Sequence, residues 1–94
     1  MSLQLDTVIS RNETHFLTNP VGDEIIILNM ETGDYLGLNF VGSAIWEHMQ
    51  TPQRISQIIE KLVAEFEVDA EKCTKETMAY LEKIKELGLL QEAG

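Results

Sequence analysis

The spacing of apolar residues along the chain changes near residue 40. Before it, short apolar segments alternate with two clusters of turn-forming residues, Pro20-Val21-Gly22-Asp23 and Glu31-Thr32-Gly33-Asp34. Apolar segments bounded by such turns are typical of strands. The pattern predicts three strands, at His15–Leu17, Glu24–Met30 and Tyr35–Asn39.

After residue 40 the apolar spacing is that of amphipathic helices. One stripe recurs at i, i+3, i+4, i+7, i+8 and i+11 and consists of Ile55, Ile58, Ile59, Leu62, Val63 and Phe66. A second stripe consists of Cys73, Thr77, Tyr80, Leu81, Ile84 and Leu87. Together with a shorter apolar segment around Trp46, these stripes predict three helices.

Local signals mark the helix ends. Asn39 and Asp69 are expected to cap the first and third helices, and Thr51 before Pro52 is expected to start the second. Gly88 is expected to end the third helix in a left-handed conformation. Strands followed by helices predict one α+β domain over residues 1–94, a three-stranded antiparallel sheet followed by three helices.

The register of the second hairpin depends on its loop. A two-residue turn at Thr32-Gly33 would place polar residues opposite apolar ones, and Thr-Gly is not a preferred turn of that kind. We therefore expect a three-residue loop, Glu31-Thr32-Gly33, with the glycine left-handed. That register directs four apolar side chains to the helices: Ile26, Leu28, Leu36 and Leu38.

The charge of the chain limits its partners. Sixteen acidic residues against seven basic ones give a net charge of −9, and neither half is basic, which disfavours nucleic acid. The last predicted helix carries four lysines and four glutamates, so the alternative function, a winged-helix transcription regulator, is disfavoured. A lone cysteine, no signal peptide and no apolar run long enough to cross a membrane lead us to expect a cytoplasmic protein.

No catalytic or metal-binding motif is present. His15 and His48 have no second ligand at metal spacing, and Cys73 has no partner cysteine. The glycines lack the spacing and the lysine of a phosphate loop. We therefore expect a protein that is not an enzyme and that has no metal and no cofactor.

The third predicted strand, Tyr35–Asn39, lacks the residues that normally protect an edge. It carries no lysine and no proline, and Gly37 removes a side chain where another backbone would approach. Two interpretations stay open at this stage. Either a peptide adds to the strand, or the strand is covered by the first ten residues of the chain or is simply short.

The chain resembles the PqqD family most specifically in the run Tyr35-Leu36-Gly37-Leu38-Asn39-Phe40-Val41-Gly42-Ser43-Ala44-Ile45-Trp46. It also resembles the family in Gly22–Asn29, Ile55–Phe66 and Met78–Leu90. The resemblance covers about residues 15–90. It implies a winged-helix-like fold and a recognition element that binds the leader of a ribosomally made precursor peptide and presents it to a modifying enzyme. In such proteins the leader adds as a strand and lies against the last helix.

Carried over residue by residue, the resemblance implies a peptide-binding site on one strand and one helix. The strand residues are Asp34, Tyr35, Leu36, Gly37, Leu38 and Asn39, and the helix residues are Met78, Leu81, Glu82 and Lys85. The implied partner enzyme is a radical SAM enzyme or a leader peptidase with a cyclase, in a pathway to pyrroloquinoline quinone or to lasso peptides. The open edge also allows a homodimer.

Overall fold

The computed structural model describes residues 3–92, which form six strands and three helices. The strands are β1 (Val8–Arg11), β2 (Phe16–Val21), β3 (Glu24–Asn29), β4 (Tyr35–Leu38), β5 (Gln53–Arg54) and β6 (Leu90–Glu92). The helices are α1 (Phe40–His48), α2 (Ile55–Phe66) and α3 (Ala70–Glu86). The α+β class is confirmed.

The predicted three-stranded antiparallel sheet is present, in the order β2-β3-β4, and the three helices follow it. β2 is longer than predicted and runs through Pro20 to Val21. A second antiparallel sheet, in the order β5-β1-β6, was not predicted. Its strands have two to four residues each and come from three distant parts of the chain. Such short segments carry too little periodicity to be recognised.

The predicted register of the β3–β4 hairpin is wrong by one residue. Leu28 lies opposite Tyr35 and Ile27 opposite Leu36, so Ile25 and Ile27, not Ile26 and Leu28, point to the helices together with Leu36 and Leu38. The Asn29 side chain is the cause, because its Oδ1 accepts hydrogen bonds from two loop amides and lengthens the loop to four residues. A slip of one residue exchanges the two faces of a strand.

The predicted start of the second helix is also wrong. Thr51 and Pro52 precede β5, and α2 begins only at Ile55. Gln53 and Arg54 are drawn into a strand because they pair with β1, a contact between distant segments. The Arg54 amide then donates to Oε1 of Gln57 at 3.0 Å, which satisfies one free donor at the helix start.

The other predicted helix ends are confirmed. Asn39 accepts from the Gly42 amide at 2.8 Å, and Asp69 accepts from the Lys72 amide at 2.9 Å. Gly88 has φ of +82°, and the Leu89 amide donates to the Ile84 carbonyl at 2.9 Å. This is the bond pattern of a helix closed by a left-handed residue.

The core lies between the inner face of the β2-β3-β4 sheet and the helices. Ile27 and Leu38 from the sheet meet Trp46 of α1, which is 1% exposed. Leu81 and Ile84 of α3 complete this cluster. Within residues 3–92, no helix is long and apolar enough to cross a membrane.

Candidate functional site

β4 is an open edge of its sheet. It pairs with β3 on one side and with no other strand among residues 3–92. Residues 3–11 do not pair with it, since β1 pairs with β5 and β6 instead. Covering of β4 by the start of the chain is therefore excluded for residues 3–10, whereas the four-residue length of β4 also fits a strand that is simply short.

The hairpin geometry shows which main-chain groups of β4 are free. The Asn29 amide donates to the Asp34 carbonyl at 2.8 Å, and bonded pairs alternate along an antiparallel ladder. Leu36 and Leu38 therefore direct their main-chain groups to β3. Tyr35 and Gly37 direct theirs to the open edge, and a Cβ at Gly37 would meet nothing within 4 Å.

The opposite edge of the sheet is protected. The Met30 amide donates to the His15 carbonyl at 2.9 Å, so the same alternation leaves the main-chain groups of Thr18 and Pro20 on the free side of β2. Pro20 has no N–H to offer there. A proline at such a position discourages another strand from pairing. Of the two edges, β4 is the one that can accept a strand.

One flank of α3 lies beside β4 and the start of α1. The Tyr80 hydroxyl donates to the Gly42 carbonyl at 3.1 Å, and burial raises the pKa of Tyr80, which keeps the hydroxyl protonated. A Cβ at Gly42 would lie 3.1 Å from the Tyr80 ring, so this close approach favours glycine. Further along, Leu87 and Leu89 share a cavity of about 150 Å³ with Tyr35 and Leu36.

A larger cavity, of about 430 Å³, lies at the far end of β4. It is lined by the start of α1, the end of α2 and α3 as far as Tyr80. Asn39, Gly42, Phe66 and Tyr80 are among its lining residues. Its walls are mainly apolar and include the exposed side chain of Val41, and Phe40, also exposed, precedes Val41 in the chain. The two cavities therefore lie near the two ends of the open strand.

The predicted strand residues lie together, whereas most of the predicted helix residues lie elsewhere. Leu81 is fully buried in the core. Residues in a helix advance by 100°, so Met78, Glu82 and Lys85 lie on the opposite side of the buried stripe from Tyr80 and Leu87. Glu82 accepts from the Leu3 amide at 2.8 Å, and Lys85 pairs with Glu92 of β6 at 3.1 Å.

The flank beside β4, formed by Tyr80 and Leu87, was not singled out by the sequence prediction. Both residues belong to the apolar stripe of α3 and were assigned to the core. Leu87 is 47% exposed. Periodicity alone defines the buried side of a helix and does not say what lies beside each of its edges.

The groups that could carry catalysis are engaged in ordinary contacts. His48 lies 2.7 Å from Glu65 and His15 lies 3.2 Å from Glu31. Cys73 is buried, with its Sγ 3.8 Å from the Thr77 hydroxyl. In the part of the chain that the structure describes, no three histidine, cysteine or carboxylate side chains are grouped to hold a metal ion.

Comparisons with known proteins identify relatives by sequence family and by structure. The family model for coenzyme PQQ synthesis protein D (PqqD) matches residues 24–90. A solved structure, "TbiB1 in Complex with the TbiA(beta) Leader Peptide", is similar with a TM-score of 0.78 and 26% sequence identity. The match covers 90% of this chain and 98% of that one. No curated protein matches this chain significantly.

Proposed function

This chain belongs to the PqqD family, and from that premise we propose that it is a non-catalytic protein that binds the leader segment of a ribosomally synthesised precursor peptide. The leader adds as a fourth strand to β4, along Asp34–Asn39, and the bound precursor is presented to a modifying enzyme. The TbiB1 structure supports the proposal, since it is a complex of a similar chain with a leader peptide.

The observation that carries the proposal is the open edge of β4. Tyr35 and Gly37 each offer an N–H and a C=O to a neighbouring strand, and each main-chain hydrogen bond contributes about 1 kcal/mol net. Affinity from main-chain groups is independent of the peptide's sequence, so selectivity comes from pockets beside the edge. The two mainly apolar cavities near the ends of β4 supply such pockets.

For the helix side of the site, we propose the flank with Tyr80 and Leu87. It lies beside β4, whereas Met78, Glu82 and Lys85 lie toward the first residues of the chain and β6. The apolar side chain of Leu87 is exposed and available for contact.

The family suggests the further partners. The enzyme that receives the precursor would be a radical SAM enzyme in a pathway to pyrroloquinoline quinone, or a leader peptidase with a cyclase in a lasso-peptide pathway. A homodimer through β4 would use the same main-chain groups as the leader. Leader and second copy would therefore compete for one edge.

Hydrogen exchange tests the proposal at single residues. In the free chain the amides of Tyr35 and Gly37 should exchange rapidly, because no strand pairs with them. A saturating synthetic leader peptide should slow both by tenfold or more. The Thr18 amide, on the free side of β2, is the matched control and should not change. Equal protection at Thr18, or none at Gly37, would contradict strand addition at β4.

A further inference from the structure

The outer face of the β2-β3-β4 sheet, turned away from the helices, is mainly apolar. Asn19 and Glu24 point outward, and so do six apolar side chains from three adjacent strands and the loop after β3, as the pairing of the strands shows. The six apolar side chains are those of Leu17, Val21, Ile26, Leu28, Met30 and Tyr35. An antiparallel sheet with one solvated face normally alternates apolar and polar residues along each strand. This one has apolar residues on both faces.

Four of these side chains, those of Leu17, Val21, Met30 and Tyr35, are exposed to solvent, and Ile26 and Leu28 are half-buried. Leu17 is 55% exposed and Tyr35 is 74% exposed, and Leu28 lies between them in the same cross-strand row. Scattered exposed apolar residues are normal, but a contiguous apolar patch with a polar rim marks an interaction surface.

The rim of this face is acidic. Residues 12–53 contain no lysine and no arginine, so the three strands and their turns carry no permanent positive charge. Asp23 and Glu24 lie at one end of the face, and Glu31 and Asp34 lie at the other. The basic residues of the described chain are on β1, β5, α2 and α3, and both helices pack on the other side of the sheet.

We propose that the outer face of the β2-β3-β4 sheet docks the modifying enzyme, through a surface of that enzyme with an apolar centre and a rim of lysine and arginine. The proposal rests on the proposed function, since that enzyme is the protein to which the leader is presented. A second copy of this chain fits poorly, because it would bring acidic rims together.

The position of the face relative to β4 explains how presentation works. A leader that adds to β4 becomes the next strand of the same sheet, and alternate side chains of the leader join the outer face. An enzyme docked there contacts the sheet and the leader at once.

The experiment measures two affinities for three proteins. The probes are a labelled synthetic leader peptide and the purified modifying enzyme, the latter tested with leader at saturation. The test variant is Leu17→Gln, on the strand farthest from β4. The control is Leu5→Gln, which makes the same change at a leucine of similar exposure, 48%, outside the face.

We expect Leu17→Gln to weaken enzyme binding about tenfold or more, Leu5→Gln to leave it unchanged, and all three proteins to bind the leader equally. Raising the salt concentration from about 50 to about 500 mM should also weaken the enzyme complex, because opposite charges at the rim are screened.

The proposal would be overturned if Leu17→Gln and the parent chain bound the enzyme with equal affinity. It would also be overturned if the enzyme did not bind the parent chain, or if salt did not change the affinity of the parent chain for the enzyme. A dimer in sedimentation velocity that Leu17→Gln abolishes would assign the face to a second copy. Failure of the leader to bind the parent chain would instead contradict the proposed function, so the two failures are distinguishable.

Discussion

Replacing Gly37 by proline tests the free amide of the open strand. The main-chain groups of Gly37 point away from β3, so the β3–β4 ladder loses no hydrogen bond. Proline is tolerated on edge strands when its nitrogen faces outward, as Pro20 does on β2. The variant should therefore fold, with a small loss of stability from the fixed φ angle.

The cost to leader binding can be worked out from the same geometry. One N–H donor disappears, at about 1 kcal/mol net, and the opposing carbonyl of the leader is left without a partner, at about 1 kcal/mol or more. Together these give about 2 kcal/mol, so leader affinity should fall roughly 30-fold. The proline ring, which occupies the place of the amide hydrogen, can only add to this loss.

Two matched variants isolate the amide. Gly37→Ala adds a side chain into open space but keeps the N–H, so its affinity should stay within about twofold of the parent chain. Thr18→Pro removes an outward amide from β2 and should likewise leave affinity unchanged. The assay is fluorescence anisotropy of a labelled leader, with circular dichroism as the folding control. A folded Gly37→Pro protein that binds as well as Gly37→Ala would refute the reasoning.

Two further predictions concern α3. Leu87→Asp should weaken leader binding about tenfold, since it places a charge on the flank beside β4. Met78→Asp, on the other flank, should have little effect on leader binding. The reverse result would return the site to the flank predicted from sequence. Tyr80→Phe should lower the free energy of unfolding by about 1 kcal/mol at neutral pH. Because the folded pKa of Tyr80 is raised, its contribution is full below about pH 10, the unfolded value, and is lost as the pH rises further. Chemical denaturation at pH 7 and at pH 11 should therefore show a smaller difference between parent and variant at pH 11, and a difference that is constant with pH would contradict this assignment.

Much of the fold could be predicted from the sequence because its signals are local. The stripe from Ile55 to Phe66 and the caps at Asn39 and Asp69 depend on neighbours within a few residues, and the structure confirms them. The strand Tyr35–Leu38 could be recognised as unprotected for the same reason, because an absent lysine or proline is visible in the sequence itself.

The tertiary structure decided what depends on contacts between distant residues. The second sheet joins segments from both ends and the middle of the chain, so no local sequence pattern predicts it. The hairpin register followed from the hydrogen bonds of one side chain, that of Asn29, and not from the count of apolar residues. The flank of α3 beside β4 is set by packing against α1, which a helical period cannot specify. Periodicity predicts which side of a helix or strand is buried. The residues that pack against that side are defined only by the folded structure.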